Sequence, residues 1–335
     1  MGNISANNKK KFFLAILALV AILLPLILNT YFQRHILILI LIWSIAGMGW
    51  NIIGGYAGQV SNGHALFYAI GAYSCALGMK FFNITPWISI MIGIILASVI
   101  AFLIGTPLLR LKGHYFSVAT MAVGECARYI FQNWDAIGGS TGVDFINTKH
   151  SPLYAMQFSS KLVYYYIILA FAVVVLLLTI YLTKHRFGYY LRSIKGNVLA
   201  AESVGIDTSK YKMFAYVISA AIVSLAGSLY ANYMTYIDPS MLMTLNISIM
   251  MVLVPVMGGN GTIAGPIIGA TILVMISENT RALFSGNGFN LLLYGLLVIL
   301  FVLFLPDGVI SLGPIIKNKI IGYKNRRRVL SEEES

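Results

Sequence analysis

Two acid–base pairs lie inside long apolar runs of this 335-residue chain. Glu125 and Arg128 stand at i and i+3, and Glu278 and Arg281 repeat the spacing. Residues three apart share a helix face and can form an ion pair. An unpaired charge at the centre of a bilayer costs at least about 2.5 kcal/mol on insertion scales. If these runs cross a membrane, the four residues are expected to face the protein interior. They read either as the polar lining of a path that meets a zwitterionic solute, or as structural pairs that lock helices together. Glu278 lies closer to the end of its run, which favours the structural reading there.

A second set of candidates is polar and glycine-rich. Gly54-Gly55-Tyr56-Ala57-Gly58-Gln59-Val60-Ser61-Asn62-Gly63-His64 joins two apolar runs, and Gly258-Gly259-Asn260-Gly261-Thr262 joins two others. Irregular backbone at membrane depth is tolerated where it is buried in protein or lines water. The candidate path residues are therefore Gly55, Gly58, Gln59, Ser61, Asn62, His64, Glu125, Gly259 and Gly261. The competing reading is tight turns plus small residues for close helix packing. It accounts for most of the glycines and less readily for Gln59, Ser61, Asn62 and His64. His64 reads as a hydrogen-bonded packing residue, with a proton carrier as the alternative.

Other chemistries find no support. Gly138-Gly139-Ser140-Thr141-Gly142 resembles a phosphate loop only superficially. It lacks the lysine such a loop needs, and no GKS or GKT occurs. No ATP-hydrolysing site, cofactor site or catalytic residue is expected in this chain. Cys75 and Cys126 read as small buried side chains. No Cys/His cluster has metal-ligand spacing, and no Ser/His/Asp set can be assembled.

The elements that must position these residues follow from composition. The chain is 59% hydrophobic and 10% charged, against about 25% charged in soluble domains. Apolar runs of about 20 residues must satisfy their own backbone hydrogen bonds, so they are helices. They do not alternate as a β-barrel would. The expected fold is an all-α polytopic membrane protein with about ten transmembrane helices and both termini cytoplasmic. Lys9, Lys10 and Lys11 precede a first, uncleaved helix over 12–28. Further spans read as 36–53, 64–80, 86–105, 114–131, 162–183, 213–236, 242–257, 264–283 and 290–306. On this topology 17 of the 23 Lys and Arg residues fall inside and five outside, with Arg128 in a span. That is the positive-inside bias. It also explains the net charge of +12 without nucleic acid. The outside segment 132–161 is long enough for an ordered cap.

The stretch 183–206 is basic and amphipathic. Leu191, Ile194, Val198, Leu199, Ala201 and Val204 have nearly helical spacing. Lys184, Arg186, Arg192 and Lys195 lie between them. Gly196 breaks the segment, Asn197 caps a second helix from Val198 to Val204, and Gly205 suits its end. An interfacial helix on anionic lipid is one reading. A docking element for a cytoplasmic partner is the other.

Several segments together resemble a known family. They are GYAGQVSNGHALFYAIGAY (55–73), YFSVATMAVGE (115–125), GGSTGV (138–143), RFGYYLRSIKGNVLAAESVGI (186–206), SAAIVSLAGSLYA (219–231), VMGGNGTIAGPIIGA (256–270) and FLPDGVI (304–310). Their order is similar to that of the LivM-type permeases of bacterial branched-chain amino-acid ABC importers. The resemblance implies a single transmembrane permease domain over 1–316, with a cytoplasmic coupling loop at 184–212 and a basic-then-acidic tail at 317–335. It implies a LivH-like second permease, two cytoplasmic ATP-binding subunits that hold ATP and Mg, an extracytoplasmic amino-acid-binding protein, and a bacterial inner-membrane location. It gives the ATPase-coupling role to Arg192, Ile194, Asn197, Ala200, Ala201, Gly205 and Ile206. Lys195 and Gly196 stand where an Arg-Glu or similar pair is common. On this reading the remaining basic residues of the loop are a lipid-facing feature. Permeases for urea and short amides share the pattern and are the alternative. A stand-alone proton-coupled carrier using Glu125 or His64 is the reading from another class, and a membrane-embedded enzyme ranks last.

Overall fold

A computed structural model describes residues 20–28, 30–146, 151–283, 289–305 and 308–311. The lysine triplet, the expected first helix before residue 20, and the tail lie outside the described residues. The longer helices are α1 (Tyr31–Asn51), α2 (Ala65–Phe82), α3 (Pro86–Leu108), α4 (His114–Gln132), α5 (Lys161–Lys184), α6 (Arg186–Gly196), α7 (Val198–Ser203), α8 (Thr208–Met234), α9 (Leu245–Gly259), α10 (Gly265–Leu283) and α11 (Phe289–Phe304). A single π-helical turn, Ile52–Tyr56, continues α1. Residues 20–27 are also helical.

Six segments are long and apolar enough to cross a membrane: Tyr31–Tyr56, Ala65–Phe82, Pro86–Leu108, Lys161–Lys184, Thr208–Met234 and Pro239–Gly259. The chain is a helical, multi-pass membrane protein. α4 and α10 carry the two Glu–Arg pairs, which lowers their average hydropathy, and α11 has only 16 residues.

Helix ends follow local chemistry. Pro86 opens α3 after an extended Thr85, a position where a missing N–H costs nothing. Asp207 caps α8 by accepting from the Lys210 N–H at 3.0 Å. Ser160 caps α5 in the same way.

α1, α2 and α8 form the centre, with α9 and α10 closing on α1. The most apolar windows of the α1 and α2 spans are 83% and 72% buried, against 33% for α3 and 28% for α5. The first pair is therefore protein-packed, and α3 and α5 turn most of their apolar surface out of the bundle. Lipid supplies no hydrophobic drive between helices, so close approach decides packing. A Cβ on Gly71 would strike the Ser224 carbonyl, and one on Gly227 would strike that of Tyr68, where α2 crosses α8.

One feature adds to the sequence reading and one departs from it. The helical body carries one short ladder: β1 (Val143–Asp144) pairs antiparallel with β2 (Tyr236–Ile237), in register Val143↔Ile237. A two-residue strand has no alternation to detect. The ladder ties the 132–161 segment to the end of α8, and Val143, Phe145 and Ile237 are buried beneath it. Gly138, Gly139 and Gly142 have φ of +95°, +48° and +76°, so that glycine group builds the turn before the ladder. Second, Cys126 is exposed rather than buried, while Cys75 is buried as expected. α4 packs along one narrow face only, through Phe116, Thr120 and Gly124, and Cys126 lies off it.

Candidate functional site

The two glycine-rich stretches meet. Asn51, fully buried at the end of α1, donates from Nδ2 to the Thr262 carbonyl at 2.9 Å. Its Oδ1 accepts from the Gly261 N–H, also at 2.9 Å. One amide therefore replaces backbone pairing that neither stretch can supply for itself. Gly259 and Gly261 have φ of +139° and +76°, which side chains rarely adopt. A Cβ on Gly261 would lie 2.8 Å from the Gly55 carbonyl. Gly308 and Ile310 back Gly259 from the far side.

The basic segment sits on this crossing. Leu191 and Ile194 of α6 are buried, which turns Lys195 toward the π-helical turn. Its Nζ donates to the Gly55 carbonyl at 2.8 Å. A Cβ on Gly58 would lie 3.0 Å from Lys195 Cγ, and the Arg192 guanidinium lies 5.7 Å from the Tyr56 ring centroid. Lys195 and Arg192 thus bind the glycine stretch, which corrects the view of Lys195 as a lipid-facing charge. A π-turn leaves carbonyls out of the regular α-helical ladder, and Gly55 offers one to the ammonium.

α7 follows its capping rules. Asn197 is extended, and its Oδ1 accepts from the Ala200 N–H at 3.1 Å. At the other end Gly205, at φ +85°, donates to the Glu202 carbonyl, and Ile206 donates to that of Ala201. This pair of bonds is a Schellman closure. The predicted apolar face divides. Leu191, Ile194 and Ala201 are buried against the chain, whereas Leu199 is 75% and Val204 74% exposed. Arg192, Asn197, Ala200 and Gly205 are exposed as well, and Ile206 is half-buried. Ile194 and Ala201 therefore seat the segment, and the outward surface is Leu199, Ala200, Val204 and Gly205. Leu199 and Val204 stood in the predicted face with no separate role. Helical spacing alone gave no sign that α6 and α7 bury different sides.

Residues 59–64 are stitched to three helices. Trp50 Nε1 donates to the Ser61 carbonyl at 2.8 Å. Asn62 donates from Nδ2 to Ser117 Oγ at 2.8 Å and from its backbone to Thr120 Oγ1 at 3.1 Å. His64 is fully buried, with Nδ1 2.8 Å from Ser61 Oγ and Nε2 2.8 Å from Ser219 Oγ. Phe67 and Tyr216 stand edge-on to its ring. Gln59 is half-buried, and Gly58 and Val60 are exposed. Gly124 of α4 lies against Gly63, so the neighbouring Glu125 belongs to the same region. Glu125 pairs with Arg128 at 2.7 Å. Arg128 reaches Gln132 at 3.3 Å, and Gln132 reaches Ser240 at 3.1 Å. The Glu125 and Arg128 side chains are 30% and 20% exposed, a partial burial. Glu278 and Arg281 of α10 pair at 3.1 Å. Among the described residues no group of three or more His, Cys, Asp or Glu could hold a metal ion.

This arrangement is a helical membrane body with a buried, irregular polar crossing and an outward-facing capped turn fixed upon it. Residues 33–303 match the family described as the branched-chain amino acid transport system permease component. The chain belongs to that family, and so is a permease subunit rather than an enzyme. It is similar to the high-affinity branched-chain amino acid transport system permease protein LivM of Escherichia coli K12, at 27% identity over 91% of this chain and 76% of that protein. A probable branched-chain amino acid transport permease protein LivM of Methanocaldococcus jannaschii is 26% identical, over 83% of this chain and 94% of its own. The permease protein LivH of Escherichia coli K12 is 25% identical, over 80% and 91%. No solved structure matches.

Proposed function

We propose that this chain is one permease of an ATP-driven importer for branched-chain amino acids in a bacterial inner membrane, working beside a LivH-like permease. Residues 20–27, α4, α10 and α11 complete the six long spans to ten, with both termini and the segment 184–212 on the cytoplasmic side. Two ATP-binding subunits hold ATP and Mg. An extracytoplasmic binding protein delivers the amino acid. The path includes Gly55, Gly58, Gln59, Ser61, Asn62, His64, Glu125, Gly259 and Gly261. Irregular backbone buried at helix ends supports that placement.

The observation that carries the reading is the seat of α6–α7. Leu199, Ala200, Val204 and Gly205 present an exposed apolar turn, and Lys195 links its base to Gly55. Closure of two ATPases against the turn would then displace the glycine crossing, a rigid-body route to alternating access. In the test, Ala200→Glu and Gly205→Leu are co-expressed with the neighbouring ATPase subunits. Both variants should insert in the membrane at normal levels and lose the ATPases on purification. Normal co-purification with both contradicts the docking role.

A further inference from the structure

His35, near the start of α1, lies about 30 Å from Gly55, at 1.5 Å per residue over twenty residues. There α1, α8, α9 and α10, with Tyr68 of α2 and Gly295 of α11, line a partly open cavity of about 560 Å³, within the ~300–1,000 Å³ of small-molecule sites. Its aromatic wall is Trp43 stacked on Tyr68, with centroids 6.1 Å apart, and Tyr230 at 5.7 Å from Tyr68. Leu39, Leu253 and Val274 add an aliphatic wall. Both charged members of the lining, Glu278 and Arg281, come from one turn of α10. The Glu278 side chain is 11% exposed and that of Arg281 66%. Tyr68 is buried, and its hydroxyl has no hydrogen-bond partner among the described residues. A buried polar group left open calls for an explanation.

A buried carboxylate and a more exposed guanidinium beside an apolar body are complementary to a small zwitterion with an apolar side chain. An acyl chain gains nothing from the carboxylate, and a neutral amide offers it no charge. We propose that this cavity is a solute site of the permease for an apolar amino acid, with Glu278 receiving the ammonium and Arg281 the carboxylate. The chain's reading as an amino-acid permease underlies this assignment. Binding needs no ATPase, so the two can fail separately.

The test is equilibrium binding of radiolabelled leucine to the purified full chain in phosphatidylethanolamine–phosphatidylglycerol nanodiscs. Binding should saturate. Glu278→Gln and Arg281→Gln should each weaken it about tenfold, as expected for one charged contact. Val274→Trp fills the cavity without removing a charge and should abolish binding in protein whose thermal unfolding is intact. Absence of leucine binding by the wild type overturns the proposal, as does unchanged binding in Val274→Trp and both charge variants. Saturable binding of urea or a fatty acid in place of leucine overturns the choice of ligand. Leucine binding by a chain that never captures ATPases would leave the cavity standing and remove the importer.

Discussion

His64 illustrates how a residue that invites a proton role can be spent on structure. Both ring nitrogens face serine hydroxyls at 2.8 Å, in a box closed by Phe67 and Tyr216. The ring joins the start of α2 to α8, with a serine hydroxyl at each nitrogen. Replacing His64 with Leu removes two hydrogen bonds and strands the buried Ser219 hydroxyl, at a cost of about 1–3 kcal/mol. His64→Leu should therefore lower the unfolding temperature of the purified protein. At matched amounts of folded protein it should leave the pH profile of leucine uptake unchanged. A flattened or shifted profile would make His64 a proton carrier instead. The Asn197 cap was legible because its partner lies three residues away. The Asn51 bridge was not, because Gly261 lies 210 positions along the chain and an asparagine at a helix end has many local uses. Lys195 misled for the same reason: its neighbours describe a surface helix, and its partner Gly55 is distant in sequence.

Among elements, the spans were the readable part, since a run of apolar residues in lipid has no choice but helix. The helices predicted at 86–105, 114–131 and 264–283 correspond to α3, α4 and α10 to within a few residues, and α3 is among the six long apolar spans. Periodicity said less about α6 and α7, because the break at Gly196 and Asn197 rotates one against the other. The six apolar residues then serve two surfaces. The glycines divide by the same logic. Gly227 lies where α8 meets the backbone of Tyr68, whereas nothing stands within 4 Å of a Cβ on Gly205. Gly227→Leu should prevent assembly of the bundle, giving little monodisperse protein by size-exclusion fluorescence. Gly205→Leu strains only its own positive φ, by about 1–2 kcal/mol, and should elute as the wild type does. Equal behaviour of the two variants would contradict the division between packing and docking glycines.

At the scale of the molecule, α1 connects two sites. The cavity of Trp43 and Glu278 lies toward its beginning, and the glycine crossing with Lys195 at its end. Membership of the permease family was legible in seven ordered motifs. The contact that joins the coupling segment to the crossing depended on the fold. On the proposed function, Lys195 would transmit the movement of the docked turn to Gly55, while Leu199 and Val204 meet the ATPase. The direct measurement is the ratio of leucine imported to ATP hydrolysed by the reconstituted complex carrying Lys195→Met. The ATPase subunits should still co-purify and hydrolyse ATP, and the ratio should fall about tenfold, the scale of one charged hydrogen bond. A ratio equal to that of the wild type would show that Lys195 carries none of the coupling.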